Sequence, residues 1–299
     1  GRFRGDVRRF VKGDPGTVRN LACCIVGSTD LAPERERETY QSINFVACHD
    51  GFTLNDLVSY DRKHNEANGE DNRDGHNANF SWNCGVEGAT DDPRVERLRE
   101  RQIKNFLTIL FVSHGTPMLL FGDEVRRTQW GNNNAYCQDN AMSWFDWRLV
   151  ARHAGVYRFC KGLIRLRRAH PTLYQRRVVK LPPEIVEDDG ILWHGVRLNA
   201  PDWGENSRSL AFTLFSVGDD CAFHVMLNAY WDSLPFALPL PPSRGVWKRV
   251  VDTTLKSPYD LAEPGQAVTV PGDIYQVGPR SSVVLMDADR RLGTLPVMP

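Results

Sequence analysis

A histidine and an aspartate come directly after a buried apolar run in the first third of the chain. His49 and Asp50 follow the apolar residues 43–48 and precede Gly51-Phe52-Thr53. If the run is a barrel strand, its carboxyl end is the active-site face. Asp50 is suited there to stabilise positive charge, to act as a base or to bind metal, and His49 to donate a hydrogen bond to a substrate hydroxyl. The structural alternative is an aspartate that caps the next helix beside a histidine with internal partners.

Two adjacent acidic residues follow a second apolar run. Asp123 and Glu124 come after residues 118–121 and Gly122. One hypothesis makes them carboxylates at the rim of a pocket, with Asp123 in contact with substrate. The alternative is an aspartate that accepts hydrogen bonds from nearby backbone amides or pairs with an arginine.

A polar loop with aromatic residues on either side offers a third candidate site. Asn132, Asn133, Tyr136 and Asp139 lie in the loop 131–139. Flat aromatic faces with amides nearby suit sugar rings, which present C–H faces and outward hydroxyl groups. The aromatic residues concerned are Trp130, Tyr136, Trp144 and Trp147. The alternative is an asparagine-rich turn above a core lined by tryptophan.

The histidines and cysteines do not show metal-site spacing. The sequence has seven cysteines, an odd number, and no C-x-x-C pair. It also has no nucleotide-binding glycine motif. We therefore expect no metal, no cofactor and a reducing, cytosol-like compartment.

Two kinds of element must position these residues. Asp92-Pro93 predicts the start of a helix, and the apolar residues that follow have helical spacing. This helix is predicted to end at residues 115–117. A second helix is predicted over residues 151–169. Strand, charged loop and helix in repeated order predict a parallel α/β sheet or barrel.

After Pro171 the apolar pattern changes to period two, which predicts an antiparallel β-sandwich. Its strand candidates are residues 191–196, 210–214, 223–228, 247–251 and 282–286. We therefore divide the chain into residues 1–171 and residues 172–299.

Charge and hydropathy exclude two classes of protein. The 37 Lys+Arg balance the 37 Asp+Glu, so the formal net charge is zero. This argues against a nucleic-acid binder held mainly by phosphate contacts and against a polybasic membrane protein. No apolar run reaches the roughly eighteen residues of a transmembrane helix.

The motifs together resemble isoamylase-type debranching enzymes of the α-amylase superfamily, and in particular their bacterial glycogen-debranching branch. The resemblance extends from residue 1 to about residue 287. The segments that carry it are INFVACHDGFTL at 43–54, HNEANGE at 64–70, SWNCG at 81–85, FGDE at 121–124 and the loop 131–140.

This resemblance implies the C-terminal part of a (β/α)₈ barrel followed by the sandwich, and retaining hydrolysis of α-1,6 branch linkages in glycogen or related glucans. Asp50 matches the family's transition-state-stabilising acid, and His49 its substrate-binding histidine. The family's nucleophile Asp and acid Glu lie before the segment that residues 1–10 resemble, and we find neither in this chain. We therefore expect the chain alone to be inactive. Length agrees, since a barrel takes about 250 residues and a sandwich about 100.

Two other functions stay open. The first is a non-catalytic glucan-binding or regulatory subunit derived from the same family. The second, a metal-dependent phosphohydrolase built around His49 and Asp50, lacks further ligands at the required spacing. The partners we expect are an α-glucan (glycogen, limit dextrin or an amylopectin-like polymer) and the missing N-terminal half of the barrel, with no nucleic acid and no membrane. We expect a bacterial cytoplasmic location, with the plastid as the alternative.

Overall fold

The computed structural model describes residues 1–28, 42–174, 187–188, 190–215, 221–263 and 265–287. Helices come first in this part of the chain and an antiparallel sheet follows, in the predicted order. No helix within these ranges has the length and apolar character that crossing a membrane requires.

The helical part is built around one long helix. Asp92 caps it by accepting a hydrogen bond from the Arg94 backbone N–H at 2.8 Å, and Pro93 occupies the first turn, where no backbone donor is needed. The predicted start of this helix at Asp92-Pro93 is thus confirmed, and the helix ends at Val112. The helices are α1 (Arg2–Lys12), α2 (Val18–Ile25), α3 (Leu54–Leu57), α4 (Pro93–Val112), α5 (Arg148–Arg152) and α6 (Ala154–Ala169).

The helix predicted over residues 151–169 is interrupted near its start. The structure has α5 and α6 in its place, because His153 leaves helical geometry with φ −115° and ψ 34°. The long polar loop 62–90 contains a 3-10 turn at Glu66–Asn68.

The two predicted barrel strands are present but much shorter than expected. β1 (Ile43–Asn44) pairs in parallel with β2 (Thr116–Pro117), whereas the sequence predicts strands over 43–48 and 118–121. Beyond β1 the backbone bonds to a side chain instead of a strand: the Arg8 guanidinium donates to the Val46 carbonyl at 2.7 and 2.9 Å. Burial lowers the pKa of Arg8 to about 9.

The sandwich consists of a large and a small antiparallel sheet. The large one has the strand order β3-β4-β5-β6-β11-β8-β9, and the small one pairs β10 with β7. The predicted sandwich strands are confirmed to within two residues at each end. The strands are β3 (Glu187–Asp188), β4 (Ile191–His194), β5 (Ser209–Leu214), β6 (Ala222–Asn228), β7 (Leu234–Ala237), β8 (Lys248–Asp252), β9 (Val268–Thr269), β10 (Ile274–Val277) and β11 (Ser281–Asp287).

Both faces of the large sheet are buried. On β6, Val225 belongs to a core shared with the helices, whereas its neighbour Met226 belongs to a second core with Phe236 and Val277 of the small sheet. All seven residues of β6 are buried. The large sheet is therefore the middle layer between the helices and the small sheet.

Polar contacts fix α4 against the large sheet. The Asn105 amide donates to the Arg280 carbonyl at 2.9 Å, and its oxygen accepts from the Thr253 hydroxyl at 2.7 Å. The 3-10 turn Pro171–Leu173 spans the predicted boundary between the two parts, and the first sheet strand begins at Glu187. The division into residues 1–171 and 172–299 stays a prediction.

Candidate functional site

Asp50 lies just beyond β1 in contact with a cation and a thiol. Its Oδ1 accepts from Arg4 Nη1 at 2.9 Å and lies 2.6 Å from Cys48 Sγ. The hydrogen bond from Cys48, and then the Arg4 guanidinium, lower the pKa of Asp50. The carboxylate is 44% exposed. Asp50 is thus an accessible, ionised acid, suited to stabilise positive charge and not to donate a proton. It does not cap α3, because that role falls to Thr53.

His49 is exposed beside Asp50. Within the described ranges no side chain is found hydrogen-bonded to its ring. The loop that carries both residues is held from behind, since the Gly51 N–H donates to the Asn133 carbonyl at 2.8 Å. The geometry therefore leaves the His49 ring available to a ligand while it fixes the backbone next to it.

Asp123 is buried and lines a small internal cavity between apolar side chains. Its Oδ1 accepts from the Leu54 N–H at the start of α3 at 2.9 Å, and its exposed fraction is 2%. Burial raises the pKa of Asp123 to about 7. The geometry therefore matches the alternative in which Asp123 accepts a hydrogen bond from a nearby backbone amide.

Asn132 and Asn133 are also buried, in a network of amides between two loops. Asn133 and Asn65 exchange two hydrogen bonds of 2.9 Å each, and the Asn133 amide also donates to the His76 carbonyl at 2.7 Å. Asn132 donates to Asn68 Oδ1 at 2.9 Å. These hydrogen bonds hold the loop 62–90 against the loop 131–139. The side chains of Asn132 and Asn133 have no exposed surface that a ligand could contact.

Asp56 is a buried carboxylate that the sequence analysis missed. Its oxygens accept from the Thr128 hydroxyl at 2.5 Å and from the Gln129 N–H at 2.7 Å. Burial raises its pKa. Its own N–H donates to Thr53 Oγ1, so the Thr53-x-x-Asp56 capping pattern is the signal that marks the start of α3. Nothing in the local sequence indicates its contact with residues 128–129.

Three of the four predicted aromatic residues lie around one open groove. We call the surface formed by Trp130, Trp144, Phe145 and Trp147 the aromatic groove; it lines a cavity of about 580 Å³. The three tryptophans are 53%, 59% and 78% exposed. Phe145 packs on Trp147 with ring centroids 4.7 Å apart. Exposed indole faces of this kind suit the C–H faces of sugars.

Tyr136 and Asp139 differ in their relation to this groove. Asp139 Oδ1 accepts from Trp144 Nε1 at 3.0 Å and so orients one of its rings. Tyr136 is 72% exposed but is not among the residues that line the groove. Both side chains are accessible, unlike Asp123, Asn132 and Asn133.

Cys48, His49 and Asp50 place possible metal-ligand atoms within 4.8 Å of one another. The Arg4 guanidinium already lies against two of them, 3.2 Å from the Cys48 sulfur and 2.9 Å from the Asp50 carboxylate. A positive group in this position opposes a metal cation. The residues present therefore do not favour the phosphohydrolase hypothesis.

Comparison with known proteins gives one consistent set of relatives. Residues 192–285 match the family model "Isoamylase 1-3, C-terminal". The chain is 43% identical over 288 residues to isoamylase 3 of Oryza sativa subsp. japonica, a chloroplastic protein, covering 95% of this chain and 35% of that one. It is 42% identical over 280 residues to the glycogen operon protein GlgX homolog of Mycobacterium tuberculosis, covering 92% and 36%.

Solved structures agree on the fold. A pullulanase from Bacillus acidopullulyticus superimposes with a TM-score of 0.66 at 21% identity, over 94% of this chain and 30% of that one. A pullulanase from Paenibacillus barengoltzii in complex with maltohexaose and α-cyclodextrin gives a TM-score of 0.55 at 26% identity, over 93% and 35%. The chain thus spans about a third of the length of its relatives. Over nearly its whole length the chain is similar to isoamylases and to GlgX homologues, and residues 192–285 match the C-terminal domain of isoamylases.

Proposed function

We propose that the chain supplies the C-terminal part of a retaining glycoside hydrolase that cleaves α-1,6 branch linkages in an α-glucan. The observation that carries this proposal is the accessible carboxylate of Asp50, held ionised by Cys48 and Arg4 beside the exposed His49. Cleavage passes through an oxocarbenium-like state, which a fixed negative charge stabilises. His49 donates a hydrogen bond to a hydroxyl of the sugar at the point of cleavage.

The roles of nucleophile and general acid are assigned to no residue of this chain. Retaining hydrolysis needs these two carboxyl groups about 5 Å apart across the sugar. Asp50 alone does not supply a covalent intermediate and a proton to the leaving group. We therefore propose that residues 1–299 by themselves do not hydrolyse glucan.

The aromatic groove binds the glucan chain, with Asp139 orienting Trp144 and Tyr136 reaching the polymer from outside the groove. Glycogen, limit dextrin and amylopectin-like polymers all present the required sugar faces. Asp123, Asn132 and Asn133 position the loops of the site and do not contact the substrate. Each of these side chains is buried and hydrogen-bonded to other parts of the protein. We place the protein in the bacterial cytoplasm, with the plastid as the alternative.

The test uses the longest reading frame that contains this chain, assayed for release of linear chains from glycogen limit dextrin. Asp50→Asn keeps the shape of the side chain but removes its charge, so activity should fall by at least about 100-fold. Binding to immobilised glycogen should persist. Asp71→Asn, at a carboxylate that is 87% exposed, is the matched control and should keep full activity.

The 299-residue chain is assayed in parallel and should release nothing. Hydrolysis by that chain, or an Asp50→Asn enzyme that keeps its rate, would refute the assignment.

A non-catalytic glucan-binding subunit is the second candidate, and the aromatic groove favours it independently of Asp50. Under this hypothesis the longest reading frame binds glycogen but releases no chains. Trp147→Ala then removes binding, whereas Asp50→Asn changes nothing measurable.

A further inference from the structure

A second, strongly basic cavity lies where the helices meet the large sheet. It has a volume of about 510 Å³ and is bounded by α4, by the junction of α5 and α6, and by the loop that follows β8. Five cationic side chains line it: Arg97, Arg101, Lys104, Arg152 and Lys256. We call it the basic cleft.

Acidic side chains neutralise little of this charge. Among the described residues that line the cleft, Glu100 is the one carboxylate, and it is paired with Lys104. Lys104 also pairs with the buried Asp260 at 2.7 Å. Arg101 donates to the uncharged Pro279 carbonyl, and the Asp252 carboxylate attracts it at longer range.

The other three cations have no acidic group within 4.0 Å in the described ranges. They are Arg97, Arg152 and Lys256. The nearby Glu96 is already engaged by Arg99 and Arg126.

One cation of the cleft, Arg152, also acts on a neighbouring histidine. His153 lines the cleft, and its pKa falls to about 4, first because of burial and then because of Arg126 and Arg152. Glu96 and Glu100 act in the opposite direction and do not cancel the effect. Arg152 thus contributes a positive potential inside the cleft.

The chemistry of the cleft differs from that of the aromatic groove. None of the described residues that line it is a phenylalanine, tyrosine or tryptophan, so it lacks the large apolar face that suits a bare sugar ring. The Ser257 hydroxyl stands among the cations, whereas the Thr254 hydroxyl donates to Asp252. Guanidinium and ammonium groups with hydroxyl donors are the set that binds phosphate oxygens.

The two cavities adjoin, because Arg152 lines both of them. We propose that the basic cleft binds a phosphate monoester carried by a sugar, with Arg97, Arg152 and Lys256 around the phosphate oxygens. The sugar phosphate is either a free hexose phosphate or a phosphorylated glucose unit of a glucan that lies in the aromatic groove. The second form rests on the proposed glucan site, and the first does not.

The test is calorimetric titration of the longest reading frame that contains this chain with glucose 6-phosphate, glucose and inorganic phosphate. Glucose 6-phosphate should bind, glucose should not, and inorganic phosphate should bind more weakly. Arg97→Gln combined with Lys256→Gln should weaken glucose 6-phosphate by about tenfold or more. The matched control combines Arg19→Gln with Arg73→Gln, two exposed arginines outside the cleft, and should bind like the parent.

A second arm uses a phosphorylated glucan before and after phosphatase treatment. A gain in affinity that depends on phosphate, and that the Arg97/Lys256 variant loses, supports the polymer-borne form. Binding of glucose 6-phosphate that survives in Trp147→Ala separates the cleft from the aromatic groove. The proposal is overturned if neither ligand depends on Arg97 and Lys256, and its sugar component is overturned if inorganic phosphate binds as tightly as glucose 6-phosphate.

Discussion

Two neighbours lower the pKa of Asp50 and hold its carboxylate in place. Arg4 reaches it from α1, 46 positions earlier in the chain, and Cys48 from two positions before it. Arg4 also donates to the Asp50 carbonyl at 3.0 Å, so it fixes the backbone as well as the carboxylate. We regard Arg4 as a positioning residue for the proposed reaction.

Arg4→Leu should lower debranching by about 100-fold, mainly in kcat, because the carboxylate loses its fixed position. Without the guanidinium the pKa of Asp50 rises, so the acid limb of the pH–rate profile should move to higher pH. Arg4→Lys keeps the charge and should restore most of the profile. A Leu variant that is slow but has an unmoved profile would show that Arg4 is merely structural.

At this scale the sequence indicates the candidate residues Asp50 and His49 but not the side chains that contact them. Asp50 and His49 stand out because an apolar run precedes them. The contacts of Asp50 with Arg4 and of Asp56 with Thr128 join positions far apart in the chain, so no local pattern encodes them. The sequence also does not separate the buried Asn133 from the exposed Asp139, since both are polar residues of one loop.

Among the elements, the loop 62–90 shows how closely one backbone turn must fit its neighbour. Gly75 has φ +71°, and a Cβ at this position would lie 2.2 Å from Asn133 Oδ1. Gly69 has nearly the same φ, +74°, but nothing lies within 4 Å of its Cβ position. An alanine at Gly69 would therefore suffer backbone strain alone, whereas an alanine at Gly75 would suffer the same strain and a steric collision.

Gly69→Ala should lower the free energy of unfolding by about 1 kcal/mol, the cost of a left-handed alanine. Gly75→Ala should lower it by about 2–4 kcal/mol, because the collision with Asn133 adds to the same strain. Urea unfolding of both variants gives the comparison. Equal losses would mean that the network around Asn133 yields without cost.

The elements themselves were predictable to different degrees. The start of α4 was clear because its cap and first-turn proline are local signals. The lengths of the barrel strands were overestimated, because a strand needs a neighbouring strand to accept its hydrogen bonds. Here Arg8 of α1 donates to the Val46 carbonyl, which would otherwise pair with a neighbouring strand. Apolar runs report burial and do not report which partner satisfies the backbone.

For the molecule as a whole, two buried histidines tie stability to pH. In the large sheet, His194 Nε2 lies 3.1 Å from the Thr213 hydroxyl, which lies 2.9 Å from His224 Nδ1. Burial lowers the pKa of His194 to about 4, and burial followed by the charge of His194 lowers that of His224 to about 3. The folded state therefore keeps both rings neutral.

The unfolded chain takes up these protons near pH 6.5, the ordinary value, well before the folded chain does. Stability from this pair is thus present above pH 6.5 and is lost as the pH falls toward 4. Each ring contributes a slope of at most about 1.4 kcal/mol per pH unit. Urea unfolding between pH 7 and pH 5 should show the decline, and His224→Gln should reduce its slope.

The exposed His76→Gln is the control and should leave that slope unchanged. Asp123, with its raised pKa, acts in the opposite direction but is common to all variants and cancels in the comparison. A slope that is the same in His224→Gln as in the parent would contradict the explanation.

The middle position of the large sheet has a consequence for the evolution of this protein's sequence. A substitution on β6 meets the helices if it falls at Val225 and the small sheet if it falls one residue later, at Met226. The strand has no solvent side on which mutations accumulate freely. Sequence drift in this lineage should therefore be slowest along β6 and faster at the rims of the sandwich, where a single neighbour must be accommodated.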